Sequence, residues 1–290
     1  MFAKKLLPII FLIGITLSVA FSSIIFAESQ TDASEFGTVG DLIEECKQEN
    51  DCEKIIKALV KAQANFEFYD LDSAELVGIN LEDANLDNAN LSNADLRIAH
   101  LKKVRLNNAN LKGANLDSAY LGGVSLTNGN LTGANLGNAK LSGVDLTDAN
   151  LEGAYLANAE LNAGFSNANL RYANLSNTKF YRSILRDANL EFADLNSADM
   201  TRASFYNANF KGANLDRAIL VITERHESDV ARVNAQLKSA CNWQRAIYKA
   251  YQEEGKWIVD EVANKQYLEQ LKQDKASEPK EAVDCSRWSN

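Results

Sequence analysis

Residues 89–116 read ANLSNADLRIAHLKKVRLNNANLKGANL, with a large apolar residue at every fifth position: Leu91, Leu96, Leu101, Leu106, Leu111 and Leu116. The beat is unbroken from Phe66 to Leu161 and resumes from Phe165 to Leu220, so it governs the stretch Ala64 to Leu220. Ala stands two residues before the beat in 24 of its 32 occurrences, which marks both positions for one interior. A period of five is foreign to both regular structures. An α-helix turns about every 3.6 residues and would spread Leu over every face. A strand has period two, so an odd spacing would throw alternate beats to opposite sides. The spacing suits a chain that turns a corner in each repeat and keeps one side inward. That is a solenoid, in which each coil buries its apolar residues against its neighbours.

The columns give the size of a coil. Val replaces Ala at Val104, Val124 and Val144, twenty residues apart each time. Two residues after the beat come Gly113, Gly123, Gly133, Gly143 and Gly153, with Ser118, Asn128, Asn138 and Asp148 in the alternate slots. Gly and Asn tolerate positive φ, so these are corner residues. Columns at twenty with turn types alternating at ten predict a four-sided coil whose opposite sides are alike. At about 4.8 Å per coil, eight coils make a rod of roughly 38 Å. Between Leu161 and Phe165 the spacing drops to four, which predicts a local distortion inside a continuing stack.

The units Ala94-Asp95-Leu96, Ala109-Asn110-Leu111 and Ala134-Asn135-Leu136 resemble the pentapeptide-repeat family over a little more than half the chain. The resemblance implies a mainly β protein, a right-handed four-sided β-helix with the Leu, Phe and Ala side chains filling its narrow interior. The family has no single function, so the resemblance carries a shape more than a job.

Outside the repeats the chain divides into four further segments. Residues 1–27 read as an export signal, with Lys4 and Lys5 ahead of an apolar run to Phe26 and a cleavage point at Ala27. An uncleaved membrane anchor is the alternative, and it is the one membrane contact the sequence supports. Residues 28–40 form a polar, flexible leader. In residues 41–63, Asp41 with Glu44 and Asn50 with Glu53 cap two helices, the second carrying Ile55, Ile56, Leu59 and Val60 on one stripe. The repeat stack occupies 64–222. Residues 223–290 are expected to be helical, from Val230, Val233 and Leu237 through Ile247, Tyr248 and Tyr251 to Val262, Leu268 and Leu271. Helices at both ends would lid a stack whose terminal coils are otherwise open. Cys241-Asn242-Trp243 together with Cys285-Ser286-Arg287-Trp288 resembles the helical C-terminal extension of exported cyanobacterial pentapeptide-repeat proteins, which implies a periplasmic or thylakoid-lumen setting.

All four cysteines lie outside the repeats, and an even number in an exported chain predicts disulfides. The two flanks sit at opposite ends of the rod, so Cys46 is paired with Cys52 and Cys241 with Cys285. Trp243 is expected beside Trp288. The chain has only His100 and His226, too few for a metal cluster or a nucleophilic triad. The glycines mark corners and not a phosphate loop, and a filled rod offers no cleft. No catalytic residue, metal or cofactor is predicted. Past the missing residue, Tyr172 and Phe192 lie twenty apart on one side, and Arg182 and Arg202 on the opposite side near Tyr181. Exposed aromatics with Arg are interface anchors, although stacked side chains also cover one another on any such rod. The functional reading is an exported structural or interaction module with an unknown protein partner and no nucleic acid. The alternative is a DNA mimic that binds DNA gyrase or another DNA-binding protein, which calls for a densely acidic surface. From Ala64 to Leu220, 18 Asp plus Glu face 13 Lys plus Arg, a balance of only −5.

Overall fold

The computed structural model describes residues 69–221, 230–253 and 256–288. The signal, the leader, the two N-terminal helices with Cys46 and Cys52, and His226 lie outside the described residues. From Tyr69 onward the chain winds as a four-sided β-helix. Parallel bridges join residues twenty apart, and four columns begin at Asp70–Asn90, Glu75–Asp95, Asn80–His100 and Asn85–Arg105. Beat residues and the Ala two before them face inward and are buried from Leu71 to Leu220. The later coils take larger interior groups, with Phe165 against Phe180 at 6.2 Å and Phe205 edge-on to Phe210 at 5.7 Å.

One repeat shows why Asn precedes the beat. In residues 90–94 the Asn90 amide donates to Tyr69 of the coil below, and the Leu91 and Asn93 amides donate to Asn110 and Lys112 of the coil above. The Ala94 amide closes the turn on the Leu91 carbonyl. The fifth amide, of Ser92, donates to the Asn90 side-chain Oδ1 at 3.3 Å. All five donors are paired, as a backbone folded away from water requires. The same Asn amides also bond to one another up the rod. Asn110 Nδ2 donates to Asn90 Oδ1 at 2.9 Å and Asn130 Nδ2 to Asn110 Oδ1 at 3.1 Å.

The corners differ from the expected alternation. Every full corner holds positive φ at the second residue after the beat, whether that residue is Gly113, Asn108, Ile98 or Tyr172. The turn bond and the two inter-coil bonds recur through most of the stack whether the corner residue is Gly, Asn, Ile or Tyr. The positive φ is kept even at Arg182 and Arg202, so one turn geometry is imposed.

The missing residue is absorbed between strands β1 (Lys140–Asp145) and β2 (Glu160–Gly164), which pair in parallel and slip register between Ser142 and Asp145. The stack then continues, with Glu160 on Lys179 and Gly164 on Ile184. Ala163 stands too near Leu161 in sequence to close the usual turn. A buried hydroxyl from the next coil fills the gap: Ser183 Oγ donates to the Leu161 carbonyl and accepts from the Ala163 amide, each at 3.3 Å. Ser183 occupies a position where Ala is the rule, yet Ser183→Ala is expected to cost about 1–3 kcal/mol by stranding two buried polar groups. The control Ala188→Ser, one repeat on, should not gain stability. Urea titration of both variants is the check.

Beyond Leu220 the extension is mixed, not helical throughout. Helix α1 (Val230–Lys238) lies where one is expected, but Ala250–Glu253 (β3) and Lys256–Val259 (β4) form an antiparallel hairpin before helix α2 (Glu261–Gln273). The segment between α1 and β3 adds backbone to the stack. Asn214 bridges Cys241 and Ile219 bridges Ile247, so two sides of the last coil are paired. On a third side, Gln236 Nε2 of α1 donates to the Ala208 carbonyl at 2.7 Å, replacing the amide a further coil would supply. Val233, Leu237 and Tyr248 join the same apolar interior, and the Tyr248 hydroxyl donates to the Trp243 carbonyl. No described helix is long and apolar enough to cross a membrane.

The C-terminal tail is held at its base by Lys238, whose buried ammonium donates to the Asp274 carbonyl at 2.6 Å and to Glu278 Oε1 at 2.8 Å. Hydrogen bonds from Ser277 and then Asn234, with the Lys238 charge, hold the Asp274 carboxyl below its ordinary 3.8. A lowered carboxylate contributes stability above its unfolded value and loses it as pH falls through the folded one. The base of the tail is therefore expected to loosen below pH 3.8, and pulsed hydrogen exchange across an acid titration would show it.

Candidate functional site

The five candidate surface residues fall on two diagonally opposite corners of the last coils. On the first corner Tyr172 and Phe192 stack at 5.4 Å with their planes 8° apart. Arg171 lies over Tyr172 at 4.4 Å and reaches Glu191 of the next coil at 3.0 Å. The column does not end in solvent. One coil further on stands Gly212, where an added Cβ would come 2.5 Å from the Phe192 ring. The chain's own C-terminus closes over this corner: Arg287 sits 5.2 Å above Tyr172, and the Trp288 indole donates to the Gly212 carbonyl at 2.8 Å. The tail is linked to the last coil by the Cys241–Cys285 disulfide, whose Cα atoms are 5.7 Å apart. Trp243 packs, partly buried, against the apolar interior.

The second corner is open. Tyr181 is 43% exposed, with Arg182 and Arg202 over its ring at 5.2 and 5.8 Å and the Arg202 guanidinium donating to its hydroxyl at 3.0 Å. The next side of the same coils adds residues that sequence spacing did not single out. Ile184 is 50% exposed, Tyr206 is 48% exposed, and Arg186 lies over Tyr206 at 5.6 Å. Arg186 and Tyr206 are also twenty apart and one repeat beyond Tyr181 and Thr201, so the column arithmetic contained them. The patch combines three guanidinium groups, two phenols and an isoleucine. It can stack on and charge-pair with a partner, and it holds no nucleophile or paired acid and base.

Elsewhere several charges pair from one coil to the next. Lys102 pairs with Glu82 at 2.8 Å, Lys179 with Glu160 at 2.9 Å, and Arg105 with Asp87. His100 stacks on Tyr120 at 5.0 Å, with Lys140 over the same ring, so the one described histidine belongs to a surface column. Among the described residues no group of His, Cys, Asp and Glu could hold a metal ion.

A family model described as pentapeptide repeats matches the sequence in eight copies, over residues 64–102, 89–128, 130–163, 162–187 and 183–220. No functionally curated protein matches it. Among solved structures it is similar to HetL, a pentapeptide repeat protein involved in heterocyst differentiation regulation from the cyanobacterium Nostoc sp. strain PCC 7120. That similarity is 35% identity over 54% of this chain and 74% of HetL, with a TM-score of 0.32. A pentapeptide repeat protein of the Arabidopsis thaliana thylakoid lumen is 25% identical over 36% of this chain and 72% of its own, TM-score 0.32. QnrB1, a plasmid-mediated fluoroquinolone resistance protein, is 20% identical over 53% and 80%, TM-score 0.36.

Proposed function

The chain belongs to the pentapeptide-repeat family, and from that premise we propose that it is an exported, non-enzymatic interaction solenoid that docks a protein partner on the Tyr181 corner. Its flanks, residues 41–63 and 223–290, serve as caps for the two ends of the right-handed β-helix. The observation that carries the docking reading is local. Among the described residues Arg182 and Arg202 have no carboxylate partner and gather on Tyr181 at one exposed corner, beside Tyr206 and an Arg186 that pairs with Asp187 at 3.2 Å. Lys102 and Lys179, by contrast, are matched to Glu82 and Glu160 of the neighbouring coil. Arg and Tyr in one cluster supply planar, weakly hydrated contact area, the usual composition of an interface centre. Support for export comes from Lys4, Lys5 and the apolar run to Phe26.

Two measurements test this reading. Protein recovered from its native cell should begin at Glu28; intact Met1 in a soluble cytoplasmic protein would overturn export. Proteins cross-linked to the wild type in that compartment should be lost from an Arg182→Glu/Arg202→Glu variant that melts normally. Equal capture by both would remove the patch from the proposal. The DNA-mimic alternative meets a balance of only −5 over the repeats and the pairing of Glu82, Asp87 and Glu160 with basic side chains of neighbouring coils. Potent inhibition of gyrase supercoiling by residues 28–290 would restore it.

A further inference from the structure

We propose that the Cys241–Cys285 disulfide is the clasp of a redox-released strap, and that release uncovers a second docking site on the Tyr172–Phe192 corner. The tail is attached at two points of different kinds. Its base, Asp274 to Glu278, is held by Lys238 and Asn234 through hydrogen bonds that reduction does not touch. Among the described residues its tip, 285–288, is joined to the stack by the disulfide, one indole hydrogen bond and one guanidinium over an aromatic ring. Between them residues 279–282 are exposed, a solvated span that lets the tip leave while the base stays.

The disulfide is asymmetric in access. Cys241 is buried in the last coil and Cys285 is half-buried. A dithiol reductant therefore attacks Cys285 Sγ; its thiolate forms the mixed disulfide and Cys241 leaves as thiolate. The second thiol of the reductant resolves the mixed disulfide. Two electrons and two protons end on Cys241 and Cys285, and the reductant departs as its own disulfide. Cys241 keeps its place, because its amide donates to the Ala213 carbonyl and its carbonyl accepts from Leu215. With the covalent link gone, the indole and guanidinium contacts must hold a segment that can otherwise sample the unfolded chain's conformations.

What is uncovered is a built site. Tyr172 and Phe192 form a flat, stacked platform, Gly212 leaves room at its edge, and the Gly212 carbonyl points to an indole donor. Its present occupant defines its ligand: a protein segment with a guanidinium next to an indole, as in Arg287-Trp288. The inference does not depend on export or on the Tyr181 corner.

The test uses the full chain with Trp243→Phe and Trp257→Phe, which leaves Trp288 as the reporter. On addition of dithiothreitol, acrylamide quenching of Trp288 should rise several-fold while the circular dichroism of the stack is unchanged. A Cys241→Ser/Cys285→Ser chain should show the same exposure without reductant. A labelled peptide of residues 282–290, with Ser in place of Cys285, should bind the reduced chain at least about tenfold more tightly than the oxidised one. Phe192→Ala should abolish that binding. Unchanged quenching, equal binding to both forms, or loss of the β-helix spectrum on reduction would each overturn the switch, the last by showing the clasp to be purely structural.

Discussion

Leu136→Ala is expected to lower stability by about 2–5 kcal/mol, while Lys112→Ala changes it by no more than about 0.5 kcal/mol. Leu136 is fully buried in the middle of the stack, with coils on both sides, so its removal leaves a cavity that neither neighbour can fill by sliding. Each coil is fixed to the next by bonds from three of every five amides, and the backbone cannot close around the gap. The Lys112 side chain is exposed, and its corner is held by backbone bonds and by Asn110 Oδ1. Guanidinium titrations of the two variants should therefore separate widely. Similar midpoints would contradict an interior built from the five-residue beat.

Cys285→Ser is expected to act at one end. The disulfide spans a sequence separation of 44, for which the chain-entropy model gives about 4 kcal/mol. The amides of Gly212, Leu215 and Leu220 donate to Ser239, Cys241 and Ile247 of the extension. In a stack of nearest-neighbour coils, loss of the staple eases the rare opening of the last coil first, while its folded form stays dominant. Hydrogen exchange in the variant should show early loss of protection around Phe205 to Leu220, with Leu111 to Leu151 still protected. Uniform loss along the rod would mean that the coils melt as one unit and do not fray.

The interior was legible in the sequence because few geometries satisfy a five-residue period, and Leu136 or Phe180 could be placed from spacing alone. The corners were less so. Gly113 and Asn108 looked like different turns, but both hold positive φ, and so does Ile98, which by its own preference avoids it. Local propensity was overruled there by the inter-coil bonds. The hairpin after Tyr248 was missed because Ile247, Tyr248 and Tyr251 also fit a helical stripe. The contrary signal was Gly255 between two runs with aromatic and β-branched residues. The Tyr181 corner was half visible, since the columns of twenty name its residues but not which columns adjoin. The covered state of Tyr172 and Phe192 was beyond sequence reasoning, because it depends on where residues 285–288 dock.

The parallel bridges that join coil to coil lie along the rod, which decides how the molecule bears a load. A pull on its two ends is carried by these bonds one coil at a time, like the teeth of a zip, and never by all of them together. Yielding is then stepwise, and each step frees about twenty residues, or roughly 60–70 Å of slack once the height of the lost coil is subtracted. At the C-terminal end the disulfide diverts tension past the hairpin and helix α2 to Cys241, in the last paired segment. An oxidised molecule thus keeps the intervening residues slack under tension, and a reduced one gives them up first.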